Sequence, residues 1–212
     1  MHPRCVLFIL MRVGFILLLL TMLGCSHRTT SKIFIEYDKQ FGDISDGYPD
    51  EAKASTIKNS LGQVIAQGPT AVHNGQQTVI KIGTWKEFYE NGNIKSFGEY
   101  KIGSFIDCCV GGACRSFYSY RIGLWRYFDI NGSPDYEVEF SPETLKINTR
   151  CEGGDKLIFG LIKSIPIKYW GKLSTDKIYE LQKIIVRDSS AFGTTTYTPL
   201  NGELFIEFAR DK

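Results

Sequence analysis

Six cysteines carry most of the reactive chemistry in this 212-residue chain: Cys5, Cys25, Cys108, Cys109, Cys114 and Cys151. A thiol can be acylated, bridged to another thiol, bound to a soft metal or cycled through redox states, and its surroundings decide which. Cys5 and Cys25 flank the apolar N-terminus, three cysteines crowd into residues 108–114, and Cys151 stands alone. Thiolate zinc sites repeat a Cys-x2–4-Cys pair, whereas this is Cys-Cys-x4-Cys plus one distant Cys with no His beside it. Structural disulfides are therefore favoured over a metal site or a thiol-redox centre. Other catalytic groups are sparse. The chain has no Gly-x-Ser-x-Gly elbow, no Gly-rich phosphate loop and no His-Glu-x-x-His. His27 sits in a polar stretch, and His73 precedes Asn74-Gly75 in an expected turn. Tyr48-Pro49-Asp50-Glu51 reads as a solvated loop rather than a metal site. The expectation is a protein with no catalysis, no cofactor and no metal; an enzyme or redox protein built on Cys108, Cys109 and Cys114 is the rival reading.

The N-terminus decides the compartment. Arg4 and Arg12 are its only charged side chains before an apolar run, Val13 to Leu23, that ends in Gly24-Cys25-Ser26. A basic start, a short apolar core and a small residue at the cut describe a secretory signal over residues 1–24. Leu20-Thr21-Met22-Leu23-Gly24-Cys25 resembles the lipobox of bacterial lipoproteins, with Met22 and Leu23 where Leu and a small residue are commoner. The resemblance implies cleavage before Cys25 and acylation of its sulphur, each buried CH₂ adding about 0.8 kcal/mol of membrane binding. Residues 26–31 then form a polar tether. The competing reading is an uncleaved anchor from Val6 to Leu23, against which Arg12 counts; a start at Met11 would shorten the signal. Loss of residues 1–24 removes two positive charges from a chain of net charge +2, leaving it formally neutral. Such a domain carries no electrostatic footprint for nucleic acid.

The elements that must position the cysteines come from a repeat. Gly83-Thr-Trp85, Gly103-Ser-Phe105 and Gly123-Leu-Trp125 recur at a fixed period of twenty, with Asn91-Gly92, Gly111-Gly112 and Asn131-Gly132 at matching offsets. Tyr100, Tyr120 and Phe140 are equivalent, and Gly62 to Gly68 is a weaker fourth copy of Gly92 to Gly98. A constant period marks stacked supersecondary units. Asn-Gly is a strong two-residue hairpin signal because type I′ turns need positive φ at both central residues. With Asn91-Gly92 as that turn, Tyr89 faces Ile94 and Trp85 faces Gly98, and the Trp85 indole is expected over Gly98. Trp85, Tyr89, Ile94, Gly98 and Tyr100 then share one face. In the third unit Trp125, Tyr127, Pro134, Tyr136, Val138 and Phe140 do the same. The same register sets Cys109 opposite Cys114, where Cα atoms about 4.5 Å apart suit a disulfide. That staple would contribute roughly 2 kcal/mol; Cys108 points to the other face and is left for Cys151.

Tyr120-Arg-Ile-Gly123-Leu-Trp125, followed by Tyr127-Phe128 and Asn131-Gly132, resembles the short bacterial variant of the MORN repeat. Gly83-Thr-Trp85, Phe88-Tyr89 and Asn91-Gly92 match it without the leading Tyr; the middle unit departs, with Phe105 for Trp. The resemblance spans about residues 60–140. It implies an antiparallel hairpin array that binds or scaffolds, in a family that includes lipoproteins and antitoxin-like proteins. Trp85, Tyr89, Phe105, Trp125 and Tyr127 would be its repeat surface, although plain core is the commoner use of such residues.

The flanks are read more coarsely. Lys32–Tyr37 is an expected strand, and residues 42–60 are polar and turn-rich. Leu157–Ile162 and Ile165–Trp170 look like buried strands, and Leu204–Phe208 follows a second Asn-Gly signal at Asn201-Gly202. Lys177–Val186 fits a helix after Ser174 or Thr175 but also a strand, and its neighbours favour strand. The fold class is mainly β: an antiparallel MORN-like hairpin sheet followed by a second antiparallel β region. The divisions are a signal peptide at 1–24, a tether and first strand at 25–59, hairpin repeats at 60–142 and a C-terminal β region at 143–212. The functional expectation is a lipid-anchored cell-envelope protein with a protein or envelope partner and no nucleic acid. The alternatives are an immunity or antitoxin-like lipoprotein that neutralises a toxin, and an envelope enzyme.

Overall fold

A computed structural model describes residues 33–34, 49, 51–109, 112–146, 156–188, 193–200 and 203–210. The chain is mainly β. The strands are β1 (Ile33–Phe34), β2 (Glu51–Lys58), β3 (Val64–His73), β4 (Gln76–Lys81), β5 (Gly83–Phe88), β6 (Ile94–Cys109), β7 (Gly112–Phe128), β8 (Pro134–Lys146), β9 (Lys156–Ser164), β10 (Ile184–Asp188), β11 (Gly193–Leu200) and β12 (Glu203–Arg210). Nine form one antiparallel sheet in the order β1-β2-β3-β5-β6-β7-β8-β9, with β4 also on β3; β10-β11-β12 form a second antiparallel sheet. One helix, α1 (Thr175–Gln182), and a short 3-10 turn at Ile167–Tyr169 join them.

Neighbours in sequence are neighbours in the sheet because tight turns join them. At residues 59–63, 89–93 and 129–133 the turn takes one form. Gly62, Gly92 and Gly132 stand at φ 79, 85 and 86, and each donates its N–H to the carbonyl three residues back. The carboxamide of Asn59 and the carboxylate of Asp129 each accept two further N–H groups of their own loop. These are three-residue loops with one left-handed glycine, not the two-residue type I′ turns expected there. Tyr89 accordingly pairs with Asn93 and Phe88, not Tyr89, lies opposite Ile94; a bulge before Phe88 absorbs the odd residue and restores Trp85 opposite Gly98. The type I′ geometry occurs at Asn74-Gly75 (φ 49 and 76), where His73 pairs directly with Gln76.

One row across the sheet organises the first core. Gly68, Trp85, Gly98, Trp125 and Val138 lie side by side on β3, β5, β6, β7 and β8. Each indole leans over the preceding strand. A Cβ at Gly68 would stand 2.5 Å from the Trp85 ring, and one at Gly98 would stand 2.2 Å from the Trp125 ring. Trp85 thus covers Gly68 rather than its cross-strand partner Gly98. Its Nε1 donates to the Pro69 carbonyl at 2.8 Å, and that of Trp125 to the Glu99 carbonyl at 3.2 Å. Both indoles are fully buried, with Tyr100 edge-on to Trp125 at 4.9 Å. Ile162, Tyr169, Leu173 and Leu181 cover this cluster from the C-terminal region.

The second core lies farther along β6 and β7. Phe105, Tyr118 and Tyr120 pack with Leu157, Ile158 and Phe159 of β9 and with Ile184, Val186 and Tyr197 of the smaller sheet. Here the register has slipped. Ser96 and Phe97 pair with Tyr127 and Arg126, but from Glu99 onward β6 pairs two residues short, with Gly123 at φ 63 in the bulge. Gly103 therefore lies opposite Tyr118 instead of Tyr120, and the Tyr118 ring covers it.

In the C-terminal region Leu157–Ile162 lies within β9 as expected, whereas Ile165–Trp170 is not a strand. Pro166 leads into the 3-10 turn, and Trp170 is exposed. Residues 177–186 prove to be both elements. Ser174 caps α1 by accepting the Lys177 N–H, and the chain turns to strand at Ile184. Residues 51–58 are strand β2, not the polar turn region expected to run to residue 60.

Candidate functional site

Of the residues singled out in the sequence, Cys25 and Cys151 lie outside the described residues. The backbone at the β6–β7 tip sets Cys109 opposite Gly112, Cys108 opposite Ala113 and Cys114 opposite Asp107. The two-residue slip thus removes the register on which the Cys109–Cys114 pairing was argued: the two positions are diagonal rather than opposed, a spacing wider than a directly opposed pair. Trp85, Phe105 and Trp125 are core, covered by the C-terminal region, and offer no repeat surface. The other two singled-out aromatics, Tyr89 and Tyr127, do line an opening.

That opening is a cleft of about 680 Å³ between the sheet and the Gly171–Lys183 segment that carries α1. Its floor comes from the row next to the tryptophans: Ala66, Glu87, Ser96, Tyr127 and Tyr136 lie in register across five strands, and Glu87, Tyr127 and Tyr136 of that row line the cleft. Tyr127 and Tyr136 stack face to face at 4.4 Å. Tyr89 closes one end, its hydroxyl donating to the Phe128 carbonyl at 2.7 Å. The opposite wall carries Lys172, Ser174, Lys177 and Glu180. Lys172 fixes that wall to the sheet by donating to the carbonyl and carboxylate of Asp135.

The inner end holds charge. Glu87 accepts from the Ser96 hydroxyl at 2.9 Å and pairs with Lys81 at 3.2 Å. Burial alone would raise the Glu87 pKa, but Lys81, Arg121 and the Ser96 hydrogen bond outweigh it and hold the carboxyl below its ordinary value. Arg121 lies over aromatic rings, its guanidinium carbon 5.0 Å from the Trp125 centroid and 5.6 Å from that of Tyr100. Burial would favour its neutral form, yet its pKa is raised, and Glu87 is the neighbour that is anionic at neutral pH. One of its terminal nitrogens donates to the Leu181 carbonyl, which ties α1 down over the cleft. The Tyr136 hydroxyl is pushed up to about 12, chiefly by burial and then by Asp135 and Tyr89, and burial raises Tyr127 as well.

Two polar atoms here are out of reach of solvent and find no hydrogen-bond partner among the described residues: Arg121 Nε and the Tyr127 hydroxyl. Sequence reading passed over Glu87 and Arg121, although a signal existed. Strand alternation puts Glu87 on the face of Trp85 and Arg121 on the face of Trp125, a charged residue in each case where an apolar one is expected. No local spacing links either residue to Ser174 or Lys177.

Among the described residues no helix is long and apolar enough to cross a membrane, and no three His, Cys, Asp or Glu side chains gather as a metal would need. No protein-family model, no curated protein and no solved structure matches the chain.

Proposed function

We propose that this chain is a lipid-anchored protein of a bacterial cell envelope that works by binding, and that its ligand enters the cleft above Tyr127 and Tyr136. The anchor rests on the resemblance of Leu20–Cys25 to a lipobox and on the apolar run before it. The binding role is carried by one observation, the unpartnered Tyr127 hydroxyl and Arg121 Nε behind a cleft of ligand size. An intramolecular fold has little reason to leave two buried polar atoms unpaired, and such groups collect where a further partner belongs. The aromatic repeat supplies the rigid floor, and the C-terminal segment supplies a wall with adaptable lysines.

Two measurements test the reading. The intact mass of the native protein, taken with and without reductant, is expected to show loss of residues 1–24, added acyl mass and the number of disulfides. Cys25→Ser is expected to abolish both maturation and membrane attachment. Recovery of the wild-type chain from the soluble cytoplasm with residues 1–24 intact would refute the anchor.

A further inference from the structure

We infer that the cleft recognises an oxyanion, the carboxylate or phosphate of a small ligand, held between Arg121 and Tyr127 at its inner end. The inference rests on the reading of the cleft as the binding site and narrows its ligand.

Three observations carry it. First, the unpartnered atoms ask for an acceptor. Arg121 Nε–H can only donate, and a buried phenol satisfies its O–H by donating it. Both residues line the cleft, and a group seated against them there supplies that acceptor. Tyr127 is itself only 8% exposed, which fixes the direction of its hydroxyl by packing on Tyr136 and Trp125.

Second, the lining leaves positive charge over. Its carboxylates are each engaged by a cation: Glu87 by Lys81, Asp135 by Lys172 at 2.9 Å, and Glu180 by Lys183 at 2.7 Å. Lys95, Lys177 and Arg121 line the cleft in addition. A second carboxylate or a phosphate meets this surplus, whereas a cationic ligand meets repulsion.

Third, both donors keep their protons at neutral pH. Burial raises the Tyr127 phenol above its ordinary value, and the Arg121 guanidinium stays charged beside the Glu87 carboxylate. The N-terminus of α1 faces the same cleft through Ser174 and Lys177, and a helix start favours negative charge. Charge-assisted hydrogen bonds from such preset donors are the strong kind.

The test uses the full-length protein in detergent, with the Arg121 Nε–H resonance as the readout. Inorganic phosphate, acetate and the neutral disaccharide chitobiose are titrated separately. At least one anion is expected to shift that resonance saturably. Stronger response to phosphate assigns a phosphate-bearing ligand, and stronger response to acetate assigns a carboxylate. Tyr127→Phe is expected to weaken that response roughly tenfold, the worth of one lost hydrogen bond to a charged group, without lowering the melting temperature. Lys177→Ala, on the exposed rim, is expected to weaken it about two- to threefold. Saturation by chitobiose alone overturns the oxyanion and leaves cleft binding standing. Silence from the folded protein with all three probes overturns both. Equal anion affinity in Tyr127→Phe and wild type removes Tyr127 from the site and sinks the inference as stated.

Discussion

The first and third repeat units and the middle one share a period in sequence but not a register in space. Units 83–100 and 123–140 each set a tryptophan next to a bare strand, turn on one left-handed glycine and pair in the phase that the repeat dictates. The middle unit, 103–120, pairs two residues out of that phase and puts Tyr118 over Gly103. A slip of two keeps every side chain on its own face. The aromatic pattern therefore tolerates it, and pattern alone cannot detect it. What separates the units is a second layer. The outer pair is covered by α1 and the 3-10 turn, the middle one by β9 and the smaller sheet. Burial against different partners selects the register in each.

This contrast can be broken experimentally, beginning where the effect is greatest. Trp125→Ala removes a fully buried indole and opens a cavity over Gly98. It is expected to cost about 4 kcal/mol by chemical denaturation, against about 3 kcal/mol for Phe105→Ala in the middle unit. A larger loss from Phe105 would mean that the slipped hairpin, not the tryptophan row, is the main support of the sheet.

Gly98→Ala forces a methyl group into the Trp125 ring and is expected to cost about 2 to 3 kcal/mol. A neutral result would show that the indole is free to move. The hydroxyl of Tyr118 accepts the Ile158 N–H at 2.7 Å, so Tyr118→Phe leaves a buried N–H unpaired and is expected to cost about 2 kcal/mol. A loss confined to a few tenths of a kcal/mol would point to water in place of that bond.

The smallest expected effect belongs to the first unit. Glu87 is held below its ordinary pKa, so its contribution is complete above about pH 4.5 and is lost as pH falls through its folded value. Glu87→Gln is expected to flatten that acid limb by about 1 kcal/mol. An unchanged limb would assign the acid sensitivity elsewhere.

Much of the sheet was legible because its signals are local. Asn-Gly pairs marked the turns, and alternation marked the inward faces of Trp85 and Trp125. Turn type was less legible. Asn91-Gly92 and Asn74-Gly75 carry the same dipeptide yet adopt different loops: in the first the Asn91 carboxamide accepts the Asn93 N–H and a neighbouring bulge takes up the extra residue. Residues 177–186 misled because a short amphipathic run suits either element until its cap and its covering layer are known. The cleft was the least legible. Its floor comes from residues 87–136 and its wall from residues 171–183, and only the fold brings them together. The charged residues on the apolar face were the one local trace it left.

The Gly–Trp row also has a direction. Every indole rests on the strand before it, so each new hairpin must find a residue without a side chain on its predecessor. Gly68 and Gly98 offer that vacancy; Val138, at the same place in the next strand, does not. A tandem duplication inserted before residue 125 would inherit its seat, whereas one appended after β8 would have none. The array is thus built to lengthen from within, and a single valine serves as its stop.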